Sequence, residues 1–175
     1  MRHAADQGRH RLGLPEWTVL AVAAERPVHG FAVAALTASD GELGRVWQIP
    51  RPVVYRAIGR LVDAGLITAE AVETGGGPPR TLYASTAEGR GLVDAWLLSP
   101  VPHVRDLRSE FLLKLAIRHR RGADPAPLVA AQREALEPIV VALREEQAGA
   151  DDFDCALVAW RRVSAEAALR FLDEL

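Results

Sequence analysis

The 175-residue chain has one cysteine, one methionine and few aromatic residues, 6% in all. A single thiol, Cys155, excludes an internal disulfide and a cysteine-built zinc site. No stretch approaches the roughly 18 apolar residues of a membrane span. The opening MRHAADQGRHR is basic, lacks an apolar run behind it and does not read as a signal peptide. A cytoplasmic location is therefore expected. An excess of one charge is also missing. Lys and Arg number 21 and Asp and Glu 23, for a net charge of -2, which argues against a wholesale polyanion binder. No Ser/His/Asp, Cys/His or paired-carboxylate set has supporting context. The histidines His3, His10, His29, His103 and His119 show no ligand spacing such as i, i+4. Neither an enzyme, nor a metal, nor a cofactor is expected.

What is present is uneven charge. Arg45, Arg51, Arg56 and Arg60 form an acid-free basic run, whereas Glu145, Glu146, Asp151, Asp152 and Asp154 collect late. Local field, not net charge, decides where a phosphate backbone docks. The stretch Arg51 to Leu66 places Val54, Ala57, Ile58, Leu61 and Val62 on one helical face. Arg51, Tyr55, Arg56, Gly59 and Arg60 fall on the other. Arginine supplies phosphate contacts and the bidentate fork that reads guanine edges. Taken alone, such a helix is an ordinary solvated amphipathic helix; its neighbours change that reading.

Residues 1–11 read as a disordered arm. A helix from Pro15 carries Trp17, Leu20, Ala21 and Ala24 and ends before Pro27. A second, from about His29 to Ser39, has Phe31, Val33, Ala34 and Leu36 as its apolar residues. Three short helices, the third basic outside, are the order of a helix-turn-helix core. Gly65 caps the third helix. Leu66–Glu73 and Arg80–Ser85 alternate like strands around Gly75-Gly76-Gly77, giving a two-stranded wing. The glycines match no phosphate loop, since no Gly-Lys-Ser/Thr follows; as a wing tip beside Arg80, Gly76 can approach a sugar-phosphate backbone closely. Thr86 caps a fourth helix bearing Leu92, Val93, Trp96 and Leu97.

Ser99-Pro100-Val101-Pro102 marks the domain boundary. Three helices follow. The first has Leu107, Phe111, Leu112, Leu115 and Ala116 as a stripe, with Glu110 and Lys114 paired four apart. The second, about Pro127 to Gln147, contains Pro138, which should kink it. The last spaces Phe153, Leu157, Trp160, Ser164, Ala167 and Phe171 by fours and threes, a seam for a partner helix. A closed intramolecular bundle is the competing reading. The predicted fold is mainly α, with a winged helix-turn-helix over 12–99 and a helical dimerisation domain over 100–175. Cys155 is expected to be a buried, inert thiol, and His29 a capping or packing residue.

Several motifs resemble the PadR family of bacterial transcriptional regulators. Pro27-Val28-His29-Gly30-Phe31, Val54-Tyr55-Arg56 through Gly65-Leu66-Ile67, Gly76-Gly77-Pro78-Pro79-Arg80 with Tyr83, Thr86 and Gly89, and Arg108–Leu115 carry the resemblance, which extends from Leu14 to Leu172. Pro50-Arg51-Pro52-Val53 departs from the Ser-Pro-Gly-Thr frequent in the family, and Gly59 from a longer residue. The resemblance implies a dimeric winged-helix repressor on a pseudo-palindromic double-stranded operator, released by a small aromatic or hydrophobic effector. The expected DNA contacts are Arg51, Tyr55, Arg56, Arg60, Arg80 and Gly76; Trp96 and Trp160 are the candidate effector residues. The alternative is a winged-helix module that binds a protein rather than DNA.

Overall fold

The structure, a computed structural model, describes residues 12–73, 80–149 and 151–175. The chain divides into two compact units, one ending at Trp96 and the other beginning at Leu97. That division lies three residues ahead of the proline-marked boundary.

In the first unit, α1 (Leu14–Glu25) is the hub, packing on α3 (Arg51–Asp63) and α4 (Ala87–Trp96). Val19 through Ala23 are all buried, so α1 has no polar face over that turn. Glu16 accepts the Gly13 N–H at 3.0 Å and thereby satisfies one orphan donor at the helix start. Trp17 stacks on Trp96 of α4, ring centroids 5.1 Å apart and planes parallel to within 1°. Helix α2 (Gly30–Leu36) is shorter than the expected His29–Ser39, because Val28–His29 form a strand, β1.

Helix α3 buries Val54, Ala57, Ile58 and Leu61, and the three larger side chains each contribute about 2 kcal/mol of apolar burial. Val62 does not join them and is 42% exposed, since it lies about 40° of helix turn beyond Ile58 at the stripe's edge. The helix ends in a Schellman motif. Gly65 has φ +69°, the Leu66 N–H donates to the Leu61 carbonyl, and the Gly65 N–H to the Val62 carbonyl, both at 2.9 Å.

Strand β2 (Ile67–Glu73) pairs antiparallel with β3 (Arg80–Ser85), with a bulge between Ala69 and Ala71. The sheet has three strands in the order β1-β3-β2, because Val28 and His29 pair with Tyr83 and Leu82. A two-residue strand has no periodicity to read, hence the expectation of a two-stranded wing. Thr86 caps α4 as expected, its hydroxyl accepting the Gly89 N–H at 3.1 Å.

In the second unit, a 3-10 turn (Val104–Asp106) and a π-helical turn (Leu107–Phe111) lead into α5 (Leu112–Arg120). The π turn shifts the register: Leu113 and Ile117 are fully buried, whereas Leu112, Leu115 and Ala116 are half-buried. Lys114 is buried as well. Its ammonium donates to the Ser99 carbonyl at 2.9 Å and the Ser99 hydroxyl at 3.3 Å, and pairs with Glu110 at 2.8 Å. Burial pushes the Lys114 pKa down, and the Glu110 hydrogen bond and charge oppose that. Arg118 donates to the Asp124 carbonyl through both Nε and a terminal nitrogen, which ties the basic end of α5 to the following turn.

Helices α6 (Ala126–Ala148) and α7 (Asp152–Asp173) pack against each other. Pro138 sits inside an α6 that continues through it. Val140 and Leu143 meet Val158 and Ala165, while Leu128 and Leu136 join Phe111 and Leu172. Gln132, fully buried, brackets Val101 by accepting its N–H at 2.7 Å and donating to its carbonyl at 3.1 Å. Glu166 bridges Arg144 at 2.9 Å and Arg162 at 2.7 Å. The first buried residue of α7, among those described, is Val158. Cys155 is therefore exposed, contrary to the expectation of a buried thiol. Phe153, Leu157, Trp160 and Val163 are exposed too.

Candidate nucleic-acid interface

The face of α3 opposite the core carries Arg51, Tyr55, Arg56, Gly59 and Arg60, all exposed. No acid stands in its first turn, and no side chain caps its N-terminus. Gly30 allows α2 to meet this helix closely: a Cβ there would come within 2.9 Å of both the Ile58 Cδ1 and the Tyr55 ring. Gly59 faces open space, so a longer side chain would meet nothing within the protein.

The four arginines of the candidate site are not equivalent. Arg60 donates to the Glu16 carboxylate at 3.0 Å, and so part of its charge is answered within the protein. Arg51 instead lies 5.5 Å from the Phe31 ring centroid and 5.6 Å from that of Tyr55. Arg80, at the start of β3, lies 5.8 Å from the same Phe31 centroid. These distances are within the range of cation–π attraction. A cleft of about 450 Å³ lies between α3 and β3, lined by Phe31, Arg51, Tyr55, Arg80, His29 and Thr81 among others. His29 donates from Nδ1 to the Thr81 carbonyl at 3.3 Å, which ties β1 to the strand that carries Arg80.

The site thus gathers Arg51, Tyr55, Arg56 and Arg80 on one side of the first unit. Gly76 lies outside the described residues. Of the candidate effector residues, Trp96 is 6% exposed and stacked on Trp17 as part of the core. Trp160, in the second unit, is 72% exposed and lines a cleft of about 440 Å³ with Val104, Ile139, Leu143, His103 and Arg161.

Two participants escaped the sequence reading. Phe31, one of the apolar residues of α2, is 52% exposed. It stands one residue, about 100° of helix turn, off the buried line Gly30–Val33–Thr37, and that offset is the signal that would have found it. Glu16 was missed because its partner is 44 residues away; its position three residues after Gly13, where a capping acid sits, was the available hint.

A short α2, a basic α3 and a β-hairpin behind it define a winged helix-turn-helix, here attached to a helical second unit. Residues 19–95 match the model of the transcriptional regulator PadR-like family. That segment is similar to the PadR-like family, a family of transcriptional regulators.

Solved structures give matches of low identity. Bacillus subtilis PadR in complex with operator DNA is 19% identical over 92% of this chain and 97% of its own, with a TM-score of 0.48. The PadR-like transcriptional regulator BC1756 from Bacillus cereus is 19% identical over 91% and 94%, at 0.42. Bacillus subtilis PadR in complex with p-coumaric acid is 17% identical over 91% of each chain, at 0.41. A comparison with curated proteins gives no match.

Proposed function

We propose that the chain is a dimeric, sequence-specific DNA-binding repressor that acts in the cytoplasm and leaves its operator when a small molecule binds. The observation that carries the DNA reading is the exposed, acid-free face of α3, with Arg51, Tyr55 and Arg56, joined by Arg80 from the wing. Arg51, at the entrance of the helix, and Arg80 hold the backbone where helix and wing meet; Arg56 holds a further phosphate; Arg60, shared with Glu16, contributes less.

The dimer reading rests on α7. Phe153, Leu157, Trp160 and Val163 are apolar and 44–76% exposed, a contiguous face that water disfavours and a second copy would cover. A two-fold dimer presents two α3 helices to successive turns of the major groove, about 34 Å apart, and so requires a pseudo-palindromic operator. Trp160 and the apolar residues beside it suit a small aromatic or hydrophobic effector. Stacked Trp96 leaves no comparable space. No helix among the described residues is long and apolar enough to cross a membrane.

Selection of bound fragments from random-sequence DNA by the purified full-length protein tests this reading. A single enriched motif with two inverted half-sites is the expected result. Fragments enriched without a common motif, or none at all, would overturn it in favour of a protein-binding module.

A further inference from the structure

We propose that Phe31 is an aromatic platform that aims Arg51 of α3 and Arg80 of β3 at one and the same DNA backbone phosphate. The proposal deepens the DNA-binding reading of this face and rests on it.

Folding does not account for the position of Phe31. Its side chain is 52% exposed, although burial of a phenyl ring is among the larger single gains open to a small domain. The buried line of α2 runs through Gly30, Val33 and Thr37, and turns Phe31 away from the core, toward the cleft between α3 and β3. There it meets two guanidiniums, Arg51 at 5.5 Å and Arg80 at 5.8 Å from the ring centroid.

Two cations gathered on one ring repel each other, and no carboxylate among the described residues pairs with either. Arg60, two turns further along α3, is handled differently, since Glu16 answers it at 3.0 Å. The ring's negative face offsets part of the repulsion and restricts both side chains. An anion between the guanidiniums would remove the rest. The cleft, about 450 Å³, is open to solvent, and its further lining residues Tyr55 and Thr81 supply polar hydrogens. A phosphodiester is the anion that a DNA-bound helix and wing meet together, and arginine forks match its oxygens.

One ring therefore couples the helix that reads bases to the wing that grips the backbone. Without it, each long arginine side chain must be ordered separately when DNA binds, at an entropic cost.

The test uses full-length protein and the motif selected by wild-type protein from random-sequence DNA. If wild-type protein selects no motif, the DNA-binding reading itself has failed. If it does, Phe31→Leu should weaken binding roughly tenfold with an unchanged Tm, because an exposed ring adds little to folding but two cation–π contacts are lost. Phe31→Tyr and Phe31→Trp, which keep an aromatic face, should bind within about threefold of wild type. The losses caused by Arg51→Ala and Arg80→Ala should both shrink in the Phe31→Leu background, as expected of coupled residues.

A scan with neutral methylphosphonates along each half-site gives the decisive readout. Wild-type protein should be most sensitive at one phosphate, and Phe31→Leu should lose that sensitivity selectively. Additive losses, failure of the aromatic variants to rescue, or a methylphosphonate profile that Phe31→Leu leaves unchanged would each overturn the platform. A loss confined to one base pair would instead make Phe31 a direct base contact, and would overturn it too.

Discussion

Glu16→Gln separates the part of α3 that the protein keeps for itself from the part it offers to DNA. The Glu16 side chain is 9% exposed and that of Arg60 is 66% exposed, with 3.0 Å between the paired atoms. One carboxylate oxygen takes the guanidinium and the other takes the Gly13 N–H. An ion pair with one partner mostly in water contributes no more than about 1 kcal/mol. The contact to the helix start adds about 1 kcal/mol. An amide can satisfy one of the two donors and not both, so Glu16→Gln should cost about 1 kcal/mol. Glu16→Ala, which loses both, should cost about 2 kcal/mol.

The effect on DNA binding runs the other way. A guanidinium released from its carboxylate is free to take a phosphate, and each added phosphate contact steepens the dependence of log K on log salt by about 0.9. Between about 50 and 200 mM salt, that makes the loss of affinity about threefold larger per protomer. Binding titrations on the selected motif at a series of salt concentrations, with Tm measured in parallel, decide the matter. A folded Glu16→Gln protein with an unchanged salt slope would refute the idea that Glu16 restrains Arg60.

Arg51→Ala and Arg80→Ala should each weaken binding to all sequences about equally, as loss of a phosphate contact does; binding to a panel of single-base variants checks both, and a loss for Arg51→Ala confined to one base position would make Arg51 a base reader and remove it from the shared phosphate. Leu157→Glu combined with Trp160→Glu places charge on the exposed face of α7 and should yield a folded monomer in sedimentation; an undisturbed dimer would move the interface elsewhere. The guanidiniums of Arg144 and Arg162 hold the Glu166 carboxyl below its ordinary pKa. Its contribution to stability is therefore complete above the unfolded carboxylate pKa and is lost as pH falls through the lower folded value. Thermal melts of Glu166→Gln should lose less Tm on acidification than wild type; an equal loss would contradict the assignment.

The sequence was most legible where a pattern is local. The two faces of α3, the Gly65 cap, the Thr86 cap and both strands of the hairpin follow from residue spacing and from turn chemistry, and all are present. It was least legible where structure depends on partners distant in the chain. Strand β1 exists only because β3 passes beside it, with Val28 opposite Tyr83, 55 residues on. The exposure of Phe31 depends on where α3 and β3 leave room, and the pairing of Arg60 on a helix start 44 residues earlier. Lys114 reads as the outer half of a surface ion pair, yet it is buried, because Ser99 folds back onto it. In the same way, the stripe of α5 moved by one position because a π turn precedes it, and no spacing rule signals that inserted residue. For the candidate site, the residue types were readable and their division of labour was not.

The most direct test of the central claim, that α3 and the wing grip DNA, is the salt dependence of operator binding by the intact protein. Arg51, Arg56 and Arg80 lack carboxylate partners among the described residues, and a dimer doubles them. If Arg51 and Arg80 share one phosphate and Arg56 takes another, log K for the dimer should fall against log salt with a slope of about -3.6. The affinity should then drop about 150-fold between about 50 and 200 mM salt. A slope near zero on the selected DNA would contradict the account.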